Sequence, residues 1–237
     1  MASLFHFKQF CIDQTDCAMK VNTDGVLLAA ILDSVAPTKI LDIGTGTGLI
    51  SLMLAQRFPS ALIDAVEIDE NASKTAKKNF SESPFFNRLS LFHSSMEDYL
   101  LNYDGQYDLI VSNPPFFINS LKSEDPVKGL ARHTDYSFFE NLLKESANKL
   151  SKKGFLYIIL PMETSKLIEK LMASVSELKI INEILVYSFA KSTSHRKILQ
   201  LGFNISEPKV KKFVIYEKVG IYTSDYQMLL KDFLTIF

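Results

Sequence analysis

Residues 39–57, KILDIGTGTGLISLMLAQR, constrain the fold of this chain more than any other stretch. A five-residue strand-like run, apolar at Ile40, Leu41 and Ile43, stops at three alternating glycines, Gly44, Gly46 and Gly48, and a longer amphipathic run from Leu49 to Arg57 follows at once. A strand that passes into a helix through a glycine turn opens a strand-helix unit, because glycine lets the backbone turn sharply and approach a ligand closely. The same alternation recurs downstream. Strands are predicted at Lys39–Ile43, Ala61–Val66, Leu89–Phe92, Tyr107–Val111 and Phe155–Leu160, with helices at Leu49–Arg57, Glu70–Phe80 and Ser137–Leu150, the pattern of an α/β chain built on a parallel sheet. After Leu160 two strand-like runs, Lys179–Phe189 and Ile198–Ile205, flank the polar AKSTSHRK and read as an antiparallel hairpin that closes the sheet. Residues Phe117 to Tyr136 show no clear periodicity and read as a long loop, either mobile or ordered by substrate.

The 237 residues, 47% apolar, suffice for one large core. The longest apolar run, Val26 to Leu32, is far shorter than the roughly 18 to 20 residues needed to cross a bilayer, and MASLFHFKQF has no signal-peptide pattern. A cytoplasmic protein without membrane contact is expected. Cys11 and Cys17 have neither the number nor the spacing of a metal or disulfide framework, and His6, His93, His133 and His195 are scattered, so no metal is expected. The net charge of -1 excludes a protein that coats nucleic acid indiscriminately. From Tyr187 to Lys218, however, Lys191, Arg196, Lys197, Lys209, Lys211, Lys212 and Lys218 face only Glu207 and Glu217. That region is either a phosphate-binding surface or a sheet edge protected by lysines.

The glycine spacing is G-x-G-x-G after Asp42, not the G-x-G-x-x-G of a dinucleotide site, since position 49 is leucine. At the end of the second predicted strand, Glu67 can accept hydrogen bonds from both hydroxyls of a ribose. Together these features point to a nucleoside ligand. After the third strand Ser95 and Met96 stand where an adenine ring would lie, Met96 as a polarizable thioether against the ring face. Ser95 reads equally well as a helix N-cap.

The fourth strand ends in SNPPFF, residues 112–117. Two consecutive prolines end strand pairing and stiffen the chain, holding Asn113, Pro114, Pro115 and Phe116 in place. With LDIGTGTG, VEID and SNPPF on successive strand ends, the chain resembles the class I S-adenosylmethionine-dependent methyltransferases that modify amino groups. The resemblance implies a Rossmann-like, seven-stranded, mostly parallel sheet with helices on both faces and S-adenosylmethionine as cofactor. It also implies that Asn113 to Phe116 form the catalytic loop. The side-chain oxygen of Asn113 and the carbonyl of Pro114 would accept the N–H groups of a poorly nucleophilic exocyclic amine, and Phe116 would stack on a target base taken out of its stack.

MKVNTDGVLLAA, ARHTDYSFFENLL and YTSDYQMLLKDFL extend the resemblance over almost the whole chain, to the bacterial tRNA(Val) adenine-N6 methyltransferases, which modify the adenosine 3′ of the anticodon. The implied organisation is a single domain, 1–237, with residues 1–35 covering the cofactor, 36–160 forming the core and 161–237 closing the sheet with a hairpin and terminal helix. Lys20, Thr23 and Asp24 become candidates for the cofactor's methionine end, alongside Asp42, the three glycines, Glu67, Ser95, Met96 and Asn113; for Thr23 and Asp24 the competing reading is a helix N-cap. Phe116, Phe117, Arg132, His133, Lys191, Arg196 and Lys197 become candidates for substrate contact, with a structural ion pair as the alternative for Arg132 and His133. Ser95 stands where many such enzymes carry an Asp for the adenine amino group. A monomer acting on tRNA is implied. Methylation of guanine N2 in ribosomal RNA or of a release-factor glutamine poses the same geometric problem to an Asn-Pro-Pro loop, and a non-catalytic RNA-binding module on the same fold is a third reading.

Overall fold

The structure, a computed structural model, describes residues 4–15, 20–32, 36–115, 126–203 and 207–237, with side chains throughout except at 126–135. In chain order the elements are β1 (Leu4–His6), β2 (Cys11–Asp13), α1 (Thr23–Ile31), β3 (Lys39–Ile43), α2 (Leu49–Arg57), β4 (Leu62–Glu67), α3 (Glu70–Ser81), β5 (Leu89–His93), α4 (Met96–Leu101), β6 (Tyr107–Ser112), α5 (Pro126–Lys149), β7 (Leu150–Pro161), α6 (Met162–Val175), β8 (Lys179–Phe189), β9 (Ser194–Gly202), β10 (Lys209–Lys218), β11 (Ile221–Tyr222) and α7 (Ser224–Leu230). No helix among the described residues is long and apolar enough to cross a membrane.

The main sheet has nine strands in the order β11-β10-β8-β9-β7-β6-β3-β4-β5. From β5 to β7 all pairs are parallel, the crossover pattern expected of strand-helix units. β9 then runs antiparallel between β7 and β8. The expectation of seven strands is corrected by β10, which pairs parallel with β8, and by the short β11. In KVKKFVIYEK the lysines mask the strand: Ile215 is buried and Phe213 packs on the core, while Lys209 and Lys211, on the same face nearer the strand's start, stay exposed. Part of the loop expected over 117–136 is also corrected, because α5 begins at Pro126; residues 116–125 lie outside the described residues.

One apolar cluster lies under α1, α2 and α7, the other under α4, α5 and α6. The run Val26–Leu32 supplies most of α1, with Leu27, Leu28 and Ala29 fully buried, as expected for a helix that is apolar all round. The first hairpin, β1–β2, packs against the other end of the chain: Phe7 bridges to Leu234, the Lys8 amide donates to the Phe233 carbonyl at 2.8 Å, and Lys8 Nζ donates to the Phe237 carbonyl at 2.8 Å.

The registers place Ser112, Ile158, Leu199, Glu183 and Val210 in one row across β6, β7, β9, β8 and β10. β6 ends at that row, whereas β8 continues to Phe189 and β10 to Lys218. At ~3.3 Å per residue, β8 to β10 rise about 20 Å past the end of β6.

Candidate active site

The glycine turn is built for close approach. Gly44, Gly46 and Gly48 have φ of 72°, 59° and 85°, backbone that L side chains rarely adopt. The amides of Gly44 and Thr45 both donate to the Val66 carbonyl, at 2.9 and 3.1 Å, and the Gly46 amide donates to Glu67 Oε2 at 2.8 Å. Glu67 Oε1 accepts from the Asp69 amide at 2.9 Å, so this buried carboxylate braces the turn and keeps acceptor capacity on both oxygens. A Cβ built on Gly44 or Gly46 meets no atom within 4 Å, so the turn leaves open space there. Gly48 serves packing instead, since its Cβ would lie 2.4 Å from the Phe80 ring.

Asp42 lies behind the turn, fully buried. Its Oδ2 accepts from Thr45 Oγ1 at 2.7 Å, from Ser51 Oγ at 2.7 Å and from the Ser51 amide at 3.1 Å. Burial pushes its carboxyl up to about 6 despite these bonds. The expectation of direct cofactor contact is therefore modified: Asp42 holds the turn from below, and its other oxygen has no partner. Asn79 braces from the side, donating to the Thr47 carbonyl and exchanging hydrogen bonds with the backbone of Asp13, which ties the β1–β2 hairpin to the turn.

Opposite the glycines stands Asn113, directly after β6 and buried, with Oδ1 lacking any partner. Ser112 Oγ donates to the Ile43 carbonyl at 3.0 Å and fixes the end of β6 against β3. Pro114 is buried and Pro115 exposed. Phe116 and Phe117 lie outside the described residues, as do the side chains of Arg132 and His133. A cleft runs between the turn, Lys20, Asn22 and Gly25 at the start of α1, and Asn113.

Other expected contacts fall elsewhere. Asn22, not Thr23 or Asp24, caps α1, accepting from the Gly25 amide at 2.9 Å. Asp24 Oδ2 instead accepts from Arg196 Nε at 2.7 Å, an ion pair that joins two residues expected on cofactor and substrate separately. Lys197 is buried between Glu169 and Glu183, at 2.8 and 2.7 Å. Burial works against its charge, and the two carboxylates outweigh it, holding the ammonium's pKa above its ordinary value. It is therefore corrected from a substrate cation to a structural one. Ser95 caps α4, accepting from the Asp98 amide at 3.0 Å, and Met96 is buried in the cluster under α4 to α6, which leaves little of its thioether for a ring face. Lys191 is exposed in the β8–β9 turn. Sequence reasoning missed Asn22, Gly25 and Asn79; the N-T-D-G run before an apolar stretch was a readable cap signal for the first two, whereas nothing local marked Asn79. Among the described residues no cluster of His, Cys, Asp and Glu could hold a metal.

Residues 10–188 match the family model described as a methyltransferase small domain. A protein of Pedobacter heparinus, 48% identical over 237 residues and all of both chains, is named tRNA1(Val) (adenine(37)-N6)-methyltransferase. A protein of the same name from Flavobacterium johnsoniae is 41% identical over 234 residues, 97% of this chain and 98% of its own length. Among solved structures, a predicted O-methyltransferase from Agrobacterium tumefaciens superposes with a TM-score of 0.67 at 17% identity, over 89% of this chain and 96% of its own. TrmN from Thermus thermophilus gives 0.57 at 17% identity, over 75% of this chain and 47% of its own. At such identities the two structures speak to the fold alone.

Proposed function

Because the chain belongs to the methyltransferase small domain family and, within it, to the tRNA1(Val) (adenine(37)-N6)-methyltransferases, we propose that it methylates N6 of adenosine 37, beside the anticodon of valine tRNA, using S-adenosylmethionine. The observation that carries the catalytic assignment is the buried, unpartnered Oδ1 of Asn113, a residue that lines the cleft together with the glycine turn.

The residues present fit the cofactor. Gly44 and Gly46 leave room for a close ligand, and Glu67 keeps acceptor capacity for two ribose hydroxyls. Lys20 and Asn22 line the same cleft on the α1 side, where a methionine end would lie. The bound cofactor supplies an electrophilic methyl on a positive sulfur. The protein's part is orientation.

An exocyclic purine amine resists alkylation because its lone pair is delocalised into the ring. Asn113 Oδ1 and the Pro114 carbonyl accept its two N–H groups, which draws the nitrogen toward tetrahedral geometry and aims its lone pair across the cleft. A buried acceptor without a competing partner is worth most here, since an unmade hydrogen bond to a desolvated oxygen costs about 1–3 kcal/mol. Neither acceptor serves as a base. After transfer the nitrogen is strongly acidic, and its proton passes to water.

The test is transfer of labelled methyl to tRNA from cells lacking this protein, with nucleoside analysis of the product. N6-methyladenosine in valine tRNA is expected, and Asn113→Ala should lower the rate by ~100-fold or more with cofactor affinity changed only a few-fold. Near-full activity of that variant would sink the assignment.

A further inference from the structure

The lysine-rich region is not one patch. Lys197 is spent on Glu169 and Glu183, and Arg196 on Asp24. Lys191, Lys212 and Lys218 are exposed on strands and turns that rise past the row of Ser112. Lys191 lies in the β8–β9 turn, Lys218 at the end of β10, and Lys212 lies over the Tyr187 ring, 4.4 Å from its centroid, while donating to the Ala190 carbonyl. The end of β10 stands four strands from β6, a lateral offset of about 19 Å at ~4.8 Å per strand.

We propose that this projecting edge of β8, β9 and β10 is an arm that docks RNA backbone away from the target base; the inference rests on the tRNA reading above. With a base seated at Asn113, the lateral offset of about 19 Å and the rise of about 20 Å combine to about 28 Å, so a stacked strand rising ~3.4 Å per nucleotide reaches the arm about eight nucleotides away. That distance carries the contact beyond the bases next to the target and onto the phosphates of the neighbouring stem. The chemistry of the arm suits phosphate rather than base readout. Its cations are flexible lysines without forked, planar geometry, and the partly buried rings of Tyr187, Phe189 and Tyr216 stiffen the strands that carry them. Lys197 offsets one of the two acids it bridges, Glu169 and Glu183, and with Glu217 beside Lys218 two negative charges stand against Lys191, Lys211, Lys212 and Lys218, so the arm stays net positive.

The experiment compares a Lys191→Ala/Lys218→Ala variant with wild type and with Lys74→Ala/Lys77→Ala, an equal charge change on α3. Neither Lys191 nor Lys218 anchors a turn, so the fold should survive, and thermal unfolding checks it. Affinity for valine tRNA is measured by fluorescence anisotropy at several salt concentrations, and KM and kcat are taken in parallel. The arm variant should bind roughly tenfold more weakly, raise KM by a similar factor with kcat within about twofold, and lower the salt slope by nearly two, since each lost phosphate contact removes ~0.9. The α3 variant should match wild type. Equal affinity and salt slope in the arm variant and wild type would overturn the arm. Absence of methyl transfer by the wild-type protein would instead overturn the tRNA reading, while the binding data still decided the arm.

Discussion

Replacing Gly48 and Gly46 separately by alanine should produce opposite defects, although the two glycines are two positions apart in the same turn. Both have positive φ, 85° and 59°, so a methyl group at either costs ~1–2 kcal/mol of backbone strain. At Gly48 the new carbon would also lie 2.4 Å from the buried ring of Phe80, and overpacking of that kind adds ~1–3 kcal/mol. Gly48→Ala should therefore lose ~2–5 kcal/mol, a large share of a typical total of ~5–15. Gly46→Ala, with open space around the added carbon, should lose only the strain. Urea denaturation gives the stability of each variant and calorimetry its affinity for S-adenosylmethionine. Gly46→Ala should fold well and bind the cofactor poorly because its methyl enters the space the ligand needs. Gly48→Ala should be the less stable of the two and bind better once folded. Stabilities within ~0.5 kcal/mol of each other, or wild-type cofactor affinity in Gly46→Ala, would refute the division of the turn into a ligand side and a packing side.

Asp42 gives a pH signature: because burial raises its carboxyl to about 6 from an ordinary 3.8, the folded protein holds a proton that the unfolded chain has lost, so this group's contribution to stability is full below about pH 4 and lost as the pH rises through 6. Asp42→Asn should flatten that part of a denaturation-against-pH curve. Lys197→Met should cost ~1–3 kcal/mol, discounted because Glu169 is about a third exposed; unchanged KM for tRNA in that variant would support its structural place. Arg196→Ala and Asp24→Ala should weaken cofactor binding alike, and a double-mutant cycle should show coupling of ~0.5 kcal/mol or more, whereas additive effects would break the link between β9 and the start of α1.

The parts of the fold legible in the sequence are those whose burial is written locally. β3 and β8 fall on their expected residues, and β4, β5 and β6 within a residue or two; in β3, β4 and β6 the short apolar runs bounded by polar turns are what two-sided burial of a strand requires. α1 was hidden because a helix buried all round shows no stripe, and β10 because its lysines outnumber its few buried apolar residues. In the site, the glycines, Glu67 and Asn113 were readable because each sits at the end of a strand. What could not be read was partnership over long separations. Arg196 finds Asp24 across 172 positions, Lys197 finds Glu169 across 28, and Asn79 reaches Asp13 across 66. A lone sequence displays a cation but not the carboxylate that will neutralise it.

The clasp between Lys8 and the far end of the chain sets an order of assembly. As the chain leaves the ribosome, the glycine turn, Glu67 and Asn113 all emerge before the backbone of residues 231–237, on which Lys8 closes. Asp13 and Asn79 can meet early, but the hairpin they tie to the turn lacks its seat until residues 231–237 arrive. A nascent chain halted short of residue 231 thus carries the glycine turn, Glu67 and Asn113 while one wall behind the turn stays unlatched, so the turn is fully braced only once residues 231–237 have emerged.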